Sequence, residues 1–198
     1  MARPRSEDKR NAILNAATQV IAVDGVSAPT ARIAKIAGVA EGTLFTYFNN
    51  KDELLNELYL QLKSELREVM VPDALTTTKS AKSAAQHAWT RYVSWGVAHP
   101  QKRKVLAQLG VSDRVTEQSK AAGMVGFTEL NALLSRSVGA KILRQQPAPF
   151  VGSLLGAIAE TTMDFIARDP PRAEQYSRAG FEAFWNALGP PPKALRPK

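Results

Sequence analysis

Three hydroxyls, two aromatic rings and a glycine fall within the six positions Gly42-Thr43-Leu44-Phe45-Thr46-Tyr47, and Lys51 follows four residues later. Hydroxyl and ammonium groups donate hydrogen bonds to anionic oxygens such as those of phosphate. Aromatic rings and threonine methyls suit the apolar edges of bases, thymine methyls above all. A glycine lets a backbone come close to a groove floor. Other chemistries are poorly provided for. There is no cysteine, which removes disulfides, thiolate metal sites and cysteine nucleophiles together. His87 and His99 stand 12 residues apart and lack the spacing of a zinc site. With no nucleophile–base pair and no phosphate-cradling glycine loop, the chain is expected to be no enzyme and to need no cofactor or metal.

Whether those groups share one surface depends on the helix that carries them. The sequence reads as helical throughout, without clean period-2 alternation rich in β-branched residues. Ser6 is expected to cap a first helix whose apolar positions are Ile13, Leu14, Ala17, Val20 and Ile21, ended by Gly25. Thr30 is expected to cap a short second helix stopped by Gly38, which tolerates the positive φ of a tight turn. Ala34, four residues before it, permits the close crossing of a helix-turn-helix, though Ala-x-x-x-Gly alone fits an ordinary helical hairpin as well. A third helix is expected near Glu41 to Phe48. Asn50 and Glu53 then form an N-x-x-E capping box for a long fourth helix, striped by Leu54, Leu55, Leu58, Leu62, Leu66 and Val69 until Pro72.

At about 100° per residue, Leu44 and Phe48 of the third helix point the same way, into a core. Gly42 and Thr46 lie opposite, with Thr43 and Tyr47 on one flank and Phe45 on the other. A solvated face more often shows Glu, Lys and Gln. This one suits close approach to DNA, with Thr43, Tyr47 and Lys51 reaching phosphates and Phe45 and Thr46 placed for base edges. The competing reading is that Phe45 and Tyr47 pack against neighbouring helices.

Past a polar linker near "PDALTTTKS", longer helices are expected at roughly 80–98, 101–110, 114–143, 150–168 and 171–188, followed by a Pro-rich tail. The expected fold is all-α, about nine helices in total. An N-terminal three-helix module, residues 1–53, is joined by the long fourth helix to a helical bundle within 54–189, with 190–198 as the tail. Net charge is +8, of which residues 1–51 hold seven basic and four acidic side chains and the remainder 19 and 14. Charge alone therefore makes DNA binding plausible without placing it. No apolar run approaches 18 residues and no leader is visible, so a cytoplasmic protein away from membranes is expected.

The stretch "PTARIAKIAGVAEGTLFTYFNNKDELL" resembles the DNA-binding signature of the TetR (tetracycline repressor) family of bacterial transcription regulators. The resemblance covers roughly residues 8–58. It implies that Thr30, Thr43, Tyr47 and Lys51 contact phosphates and that Gly42, Phe45 and Thr46 face the groove; Arg3 and Arg5 resemble the basic arm of some members. Three positions depart from the pattern. Ala40 stands where a Ser or Thr cap is usual, Glu41 where a basic or polar residue is common, and Phe45 in place of a more frequent tyrosine. The third helix holds no Arg, Asn or Gln, so phosphate contacts, apolar contacts and DNA shape are expected to carry recognition.

The resemblance also implies that residues from about 70 onward bind a small effector and form a homodimer. Trp89, Tyr92, Leu106, Leu109, Met124, Phe127, Thr162 and Phe165 are the candidates for an apolar effector pocket, with plain core packing as the alternative for each. Glu160 and Asp164 either converge on that pocket or lie on a solvated or interface face. Leu155, Ile158, Phe181, Phe184 and Trp185 are the candidates for the dimer interface, where the family pairs its last two helices. The expected function is a ligand-responsive repressor on a palindromic operator. The alternative is a helical interaction or ligand-binding protein that does not bind DNA.

Overall fold

The computed structural model describes residues 6–71, 80–137 and 146–189. Arg3, Arg5, most of the expected linker and the expected tail lie outside the described residues. Among the described residues the regular structure is helical. It comprises α1 (Glu7–Asp24), α2 (Thr30–Ile36), α3 (Glu41–Tyr47), α4 (Lys51–Met70), α5 (Ala81–Ala98), α6 (Pro100–Gly110), α7 (Glu117–Val125), α8 (Thr128–Ser137), α9 (Ala148–Arg168) and α10 (Ala173–Ala187), with a 3-10 turn at Pro170–Arg172 before α10. By contacts the chain forms two compact units. The first holds residues up to 65 together with 99–125; the second holds 66–98 and 126 onward.

In the first unit α1 packs on α2 and α6, and α2 on α3. Ile13, Leu14, Ala17 and Ile21 of α1 are fully buried, along with Ile33, Leu44, Leu54, Leu55, Val105 and Leu109. Gly38 has φ +69° at the turn between α2 and α3, the left-handed conformation that a side chain would strain. The fourth helix is capped reciprocally: the Glu53 backbone N–H donates to Asn50 Oδ1 at 2.8 Å, and the Asn49 N–H donates to Glu53 Oε2 at 2.7 Å. Two other caps differ from the sequence expectation. Ser6 sits at the N-cap of α1 but its hydroxyl makes no cap bond. Pro29 occupies the N-cap of α2, so Thr30 is the first helical residue and its hydroxyl is available for another partner.

The second unit is built on α5, α9 and α10, with Trp89, Val93, Ala159, Met163, Phe181 and Trp185 in its core. Trp89 donates its indole N–H to the Ser177 carbonyl at 3.0 Å, the partner a buried indole requires. Gly180 brings α9 and α10 together. A Cβ there would lie 2.2 Å from Thr162 Oγ1 and 2.8 Å from Trp89 Cζ2. Of residues 114–143, expected as one helix, 138–143 lie outside the described residues and the rest are divided. The chain leaves α7 at Val125 and restarts α8 at Thr128, with Gly126 and Phe127 between them. A Cβ at Gly126 would run into the Arg67 side chain, and Phe127 turns inward to 6% exposure. The break thus coincides with the burial of Phe127 and with a glycine packed closely against Arg67.

Candidate nucleic-acid interface

The surface of α3 follows from its periodicity. Leu44 and Phe48 are fully buried, at 0% and 1% exposure, which anchors the helix and fixes its rotation. Gly42, Phe45 and Thr46 are exposed, and Thr43 and Tyr47 are half-buried on the flank. The residues expected to meet DNA therefore lie on one side, and Phe45, at 41% exposure, is not absorbed into a helix contact. Space beside Gly42 is open, with no atom within 4 Å of a built Cβ.

Hydrogen bonding decides which of these groups still has a donor to offer. Tyr47 Oη accepts the Ser6 backbone N–H at 3.1 Å, so its own hydrogen can point elsewhere. This bond ties the start of α1 to the end of α3. Thr46 Oγ1 donates to the Gly42 carbonyl at 3.1 Å, which leaves its methyl and lone pairs outward. Thr30 Oγ1 donates to Glu41 Oε1 at 2.6 Å, joining the first turns of α2 and α3. A hydroxyl has one hydrogen, so in this arrangement Thr30 cannot also donate to a phosphate.

Lys51 opens α4 and is half-buried. Burial lowers its pKa below the ordinary 10.5, helped by the nearby Arg114 guanidinium and opposed by Asp52. Arg114 is held by Asp52 through Nε at 2.5 Å. The segment joining α6 to α7 is fastened to α4 by Asn56. Its Nδ2 donates to the Arg114 carbonyl at 2.9 Å, and its Oδ1 accepts the Thr116 N–H at 2.9 Å and the Thr116 hydroxyl at 3.2 Å. Local sequence pattern does not reveal the bonds of Asn56 to the Arg114 and Thr116 segment or the Thr30–Glu41 pair. The available signal was an asparagine, a poor helix former, inside an otherwise leucine-striped helix.

The residues expected to form an effector pocket are divided between the two units. Leu106 and Leu109 are buried in the first unit, and Met124 is exposed there beside Lys63 Nζ at 3.5 Å. Trp89, Phe127 and Thr162 are buried in the second unit. Tyr92 is half-buried, with its hydroxyl 3.4 Å from Glu160 Oε1. Thr162 and Phe165 line a groove of about 560 Å³ between α9 and α10, with Leu154, Ala157, Tyr176 and Ala183. Trp89 lines another, of about 580 Å³, with Val93, Ile166, Glu174 and Arg178.

Of the expected dimer residues, Phe181 and Trp185 face the unit's own core, at 2% and 7% exposure. Leu155, Ile158 and Phe184 are packed against that core and partly exposed. The large apolar side chains most open to solvent on α9 are Phe150, Leu154 and Phe165. By length and composition Phe150–Arg168 is apolar enough to cross a membrane, and 22% of it is buried.

Comparison with known proteins agrees with this geometry. Residues 13–58 match the bacterial regulatory proteins of the tetR family, a segment that contains α2, α3 and the first turns of α4. An uncharacterised HTH-type transcriptional regulator of Bacillus subtilis, YhgD, is 39% identical over 64 residues, 32% of this chain and 34% of that protein. The chain thus covers about a third of the length of the curated relatives it matches. The likeness in fold extends further. A structure of a putative tetR family transcription regulator from Shewanella sp. PV-4 superposes with a TM-score of 0.77 at 26% identity, over 92% of this chain and 98% of that one. The regulator FadR of Bacillus subtilis, solved in complex with stearoyl-CoA, superposes with a TM-score of 0.66 at 20% identity, over 88% and 96%. Residues 13–58 thus carry the segment that marks the tetR family of bacterial regulatory proteins, and the fold of the chain is shared with a solved regulator of that family. The proteins that it matches are named as transcription regulators.

Proposed function

We propose that the protein is a cytoplasmic repressor that binds a palindromic DNA operator as a homodimer and is released by a small, largely apolar effector. The observation that carries this reading is the α3 surface, where buried Leu44 and Phe48 turn Gly42, Phe45 and Thr46 outward on a helix without lysine or arginine. Thr43, Tyr47 and Lys51 contact phosphates; Gly42, Phe45 and Thr46 meet the groove. Residues 1–53 serve as the DNA-binding domain and 54–189 as the domain for effector and partner.

The dimer reading is supported by the exposed apolar side of α9. Phe150, Leu154 and Phe165 are open there, and Gly152 and Gly156 have no atom within 4 Å of a built Cβ, so a second copy's helix could approach closely. An isologous pairing of this kind sets two recognition helices about 34–36 Å apart or slightly more, along one face of a duplex. The apolar character of the effector is supported by the grooves beside α9 and α10 and by the acyl-CoA held in a structure of the same fold.

Selection of binding sites from random duplex DNA tests the reading. Enrichment of a two-fold symmetric site, bound by two chains per duplex, is the expected result. Failure to enrich any site, with a monomer in solution, would contradict it.

A further inference from the structure

Glu41 is the sole charged residue between Lys35 and Lys51, and it stands exposed at the first turn of α3, beside Gly42. Its position is held. Thr30, at the first turn of α2 and 11 residues away in sequence, donates its hydroxyl hydrogen to Glu41 Oε1 at 2.6 Å. Two consequences follow from that bond. Thr30 gives its hydrogen to the carboxylate and not to DNA, and a fixed negative charge stands where the α3 face begins.

A phosphate brought to this part of the surface meets repulsion from Glu41 without an α3 cation to offset it. Thr46 offers no relief, because its hydrogen is given to the Gly42 carbonyl. A base edge is a different matter. Thr30 takes Oε1, and Oε2 is the oxygen that can accept the amino group of a cytosine in the major groove. The same carboxylate therefore repels DNA backbone in any sequence and rewards a donor in one register only.

We propose that Glu41 is a specificity-determining residue that weakens sequence-independent DNA binding, and that Thr30 is its positioning residue rather than a phosphate contact. This inference rests on the DNA-binding reading above. It predicts a separation between two affinities that simple loss of structure would not produce.

The test uses the full chain, the duplex obtained by site selection, and a scrambled duplex of the same length and composition. Affinities are measured over a series of salt concentrations, with a thermal melt of each variant. Glu41→Gln keeps an oxygen for the Thr30 hydroxyl and removes the charge. It should tighten binding to the scrambled duplex by roughly five- to tenfold, the scale of one like-charge contact under partial screening. Binding to the selected duplex should change less, so the ratio of the two falls. Thr30→Val should leave scrambled-duplex binding within about twofold while lowering the ratio, because the released carboxylate still repels phosphate but no longer holds its register. Glu41→Ala, which cannot bond to Thr30 at all, should repeat the Glu41→Gln result on the scrambled duplex.

Unchanged or weaker scrambled-duplex binding by Glu41→Gln and Glu41→Ala would overturn the role of Glu41. Equal weakening on both duplexes by Thr30→Val would make Thr30 a phosphate donor and overturn its positioning role. Failure of the unsubstituted chain to bind either duplex is a separate result; it would remove the DNA-binding reading and this inference with it.

Discussion

The backbone N–H of Ser6 donates to the hydroxyl of Tyr47 at 3.1 Å, across 41 residues of sequence. One side chain thus closes the three-helix module and presents a phenolic hydrogen on the flank of α3. Tyr47→Phe removes both functions at once. It should lower stability by about 1 kcal/mol, the net value of a typical hydrogen bond, and weaken DNA binding about equally on all sequences. Chemical denaturation and duplex titration measure the two effects separately; intact stability with sequence-dependent loss of binding would contradict the assignment.

In the proposed reading Lys51 supplies a charge and not a base contact. Lys51→Ala should flatten the dependence of log affinity on log salt by about one unit, without altering the preferred site. An unchanged slope would place Lys51 away from phosphate.

Asn56 fastens the α6–α7 segment to α4 through Arg114 and Thr116. Asn56→Ala leaves the Thr116 N–H and the Arg114 carbonyl without that partner and should destabilise the chain by about 1–2 kcal/mol. Because Arg114 also holds Asp52, next to Lys51, affinity for DNA should drop as well. A melt unchanged from the parent chain would show that water replaces Asn56 without loss.

Much of the α3 surface is legible in the sequence because it depends on one helix. The 3.6-residue period alone orients Leu44 and Phe48 inward and Gly42 and Thr46 outward, and the Asn50–Glu53 cap spans three residues. The Thr30–Glu41 and Asn56–Thr116 bonds join positions 11 and 60 apart, where local pattern carries no information. The α9–α10 region was hard to read for another reason. An apolar stripe facing the chain's own core, such as Phe181 and Trp185, looks in sequence like one left open to solvent, such as Leu154 and Phe165. The break at Gly126 is not visible in the sequence, because a glycine within a helical pattern is tolerated unless packing decides otherwise.

Gly180 tests the packing of the second unit. Gly180→Val would drive a side chain into Thr162 and Trp89 and should lower stability by about 1–3 kcal/mol, read as a lower denaturation midpoint. An unchanged midpoint would show that α9 and α10 can part without loss.

Lys63 makes a pH prediction. It is held over the Tyr59 ring at 5.7 Å, and burial lowers its pKa below the ordinary 10.5. Between the folded-state pKa and 10.5 the unfolded chain binds this proton more tightly, so the contribution of Lys63 makes stability rise with pH across that interval. Lys63→Met abolishes that contribution. The difference in stability between variant and parent should narrow from pH 8 toward pH 10, in the parent's favour. A constant difference would contradict the burial of the charge.

The central claim, that the exposed face of α3 meets duplex DNA, is tested most directly by hydrogen–deuterium exchange of the chain with and without its selected duplex. Protection on binding should concentrate in peptides covering α3 and the start of α4, residues 41–51, with Tyr47 and Lys51 among them. Protection elsewhere with none in this segment, at saturating duplex, would contradict the account.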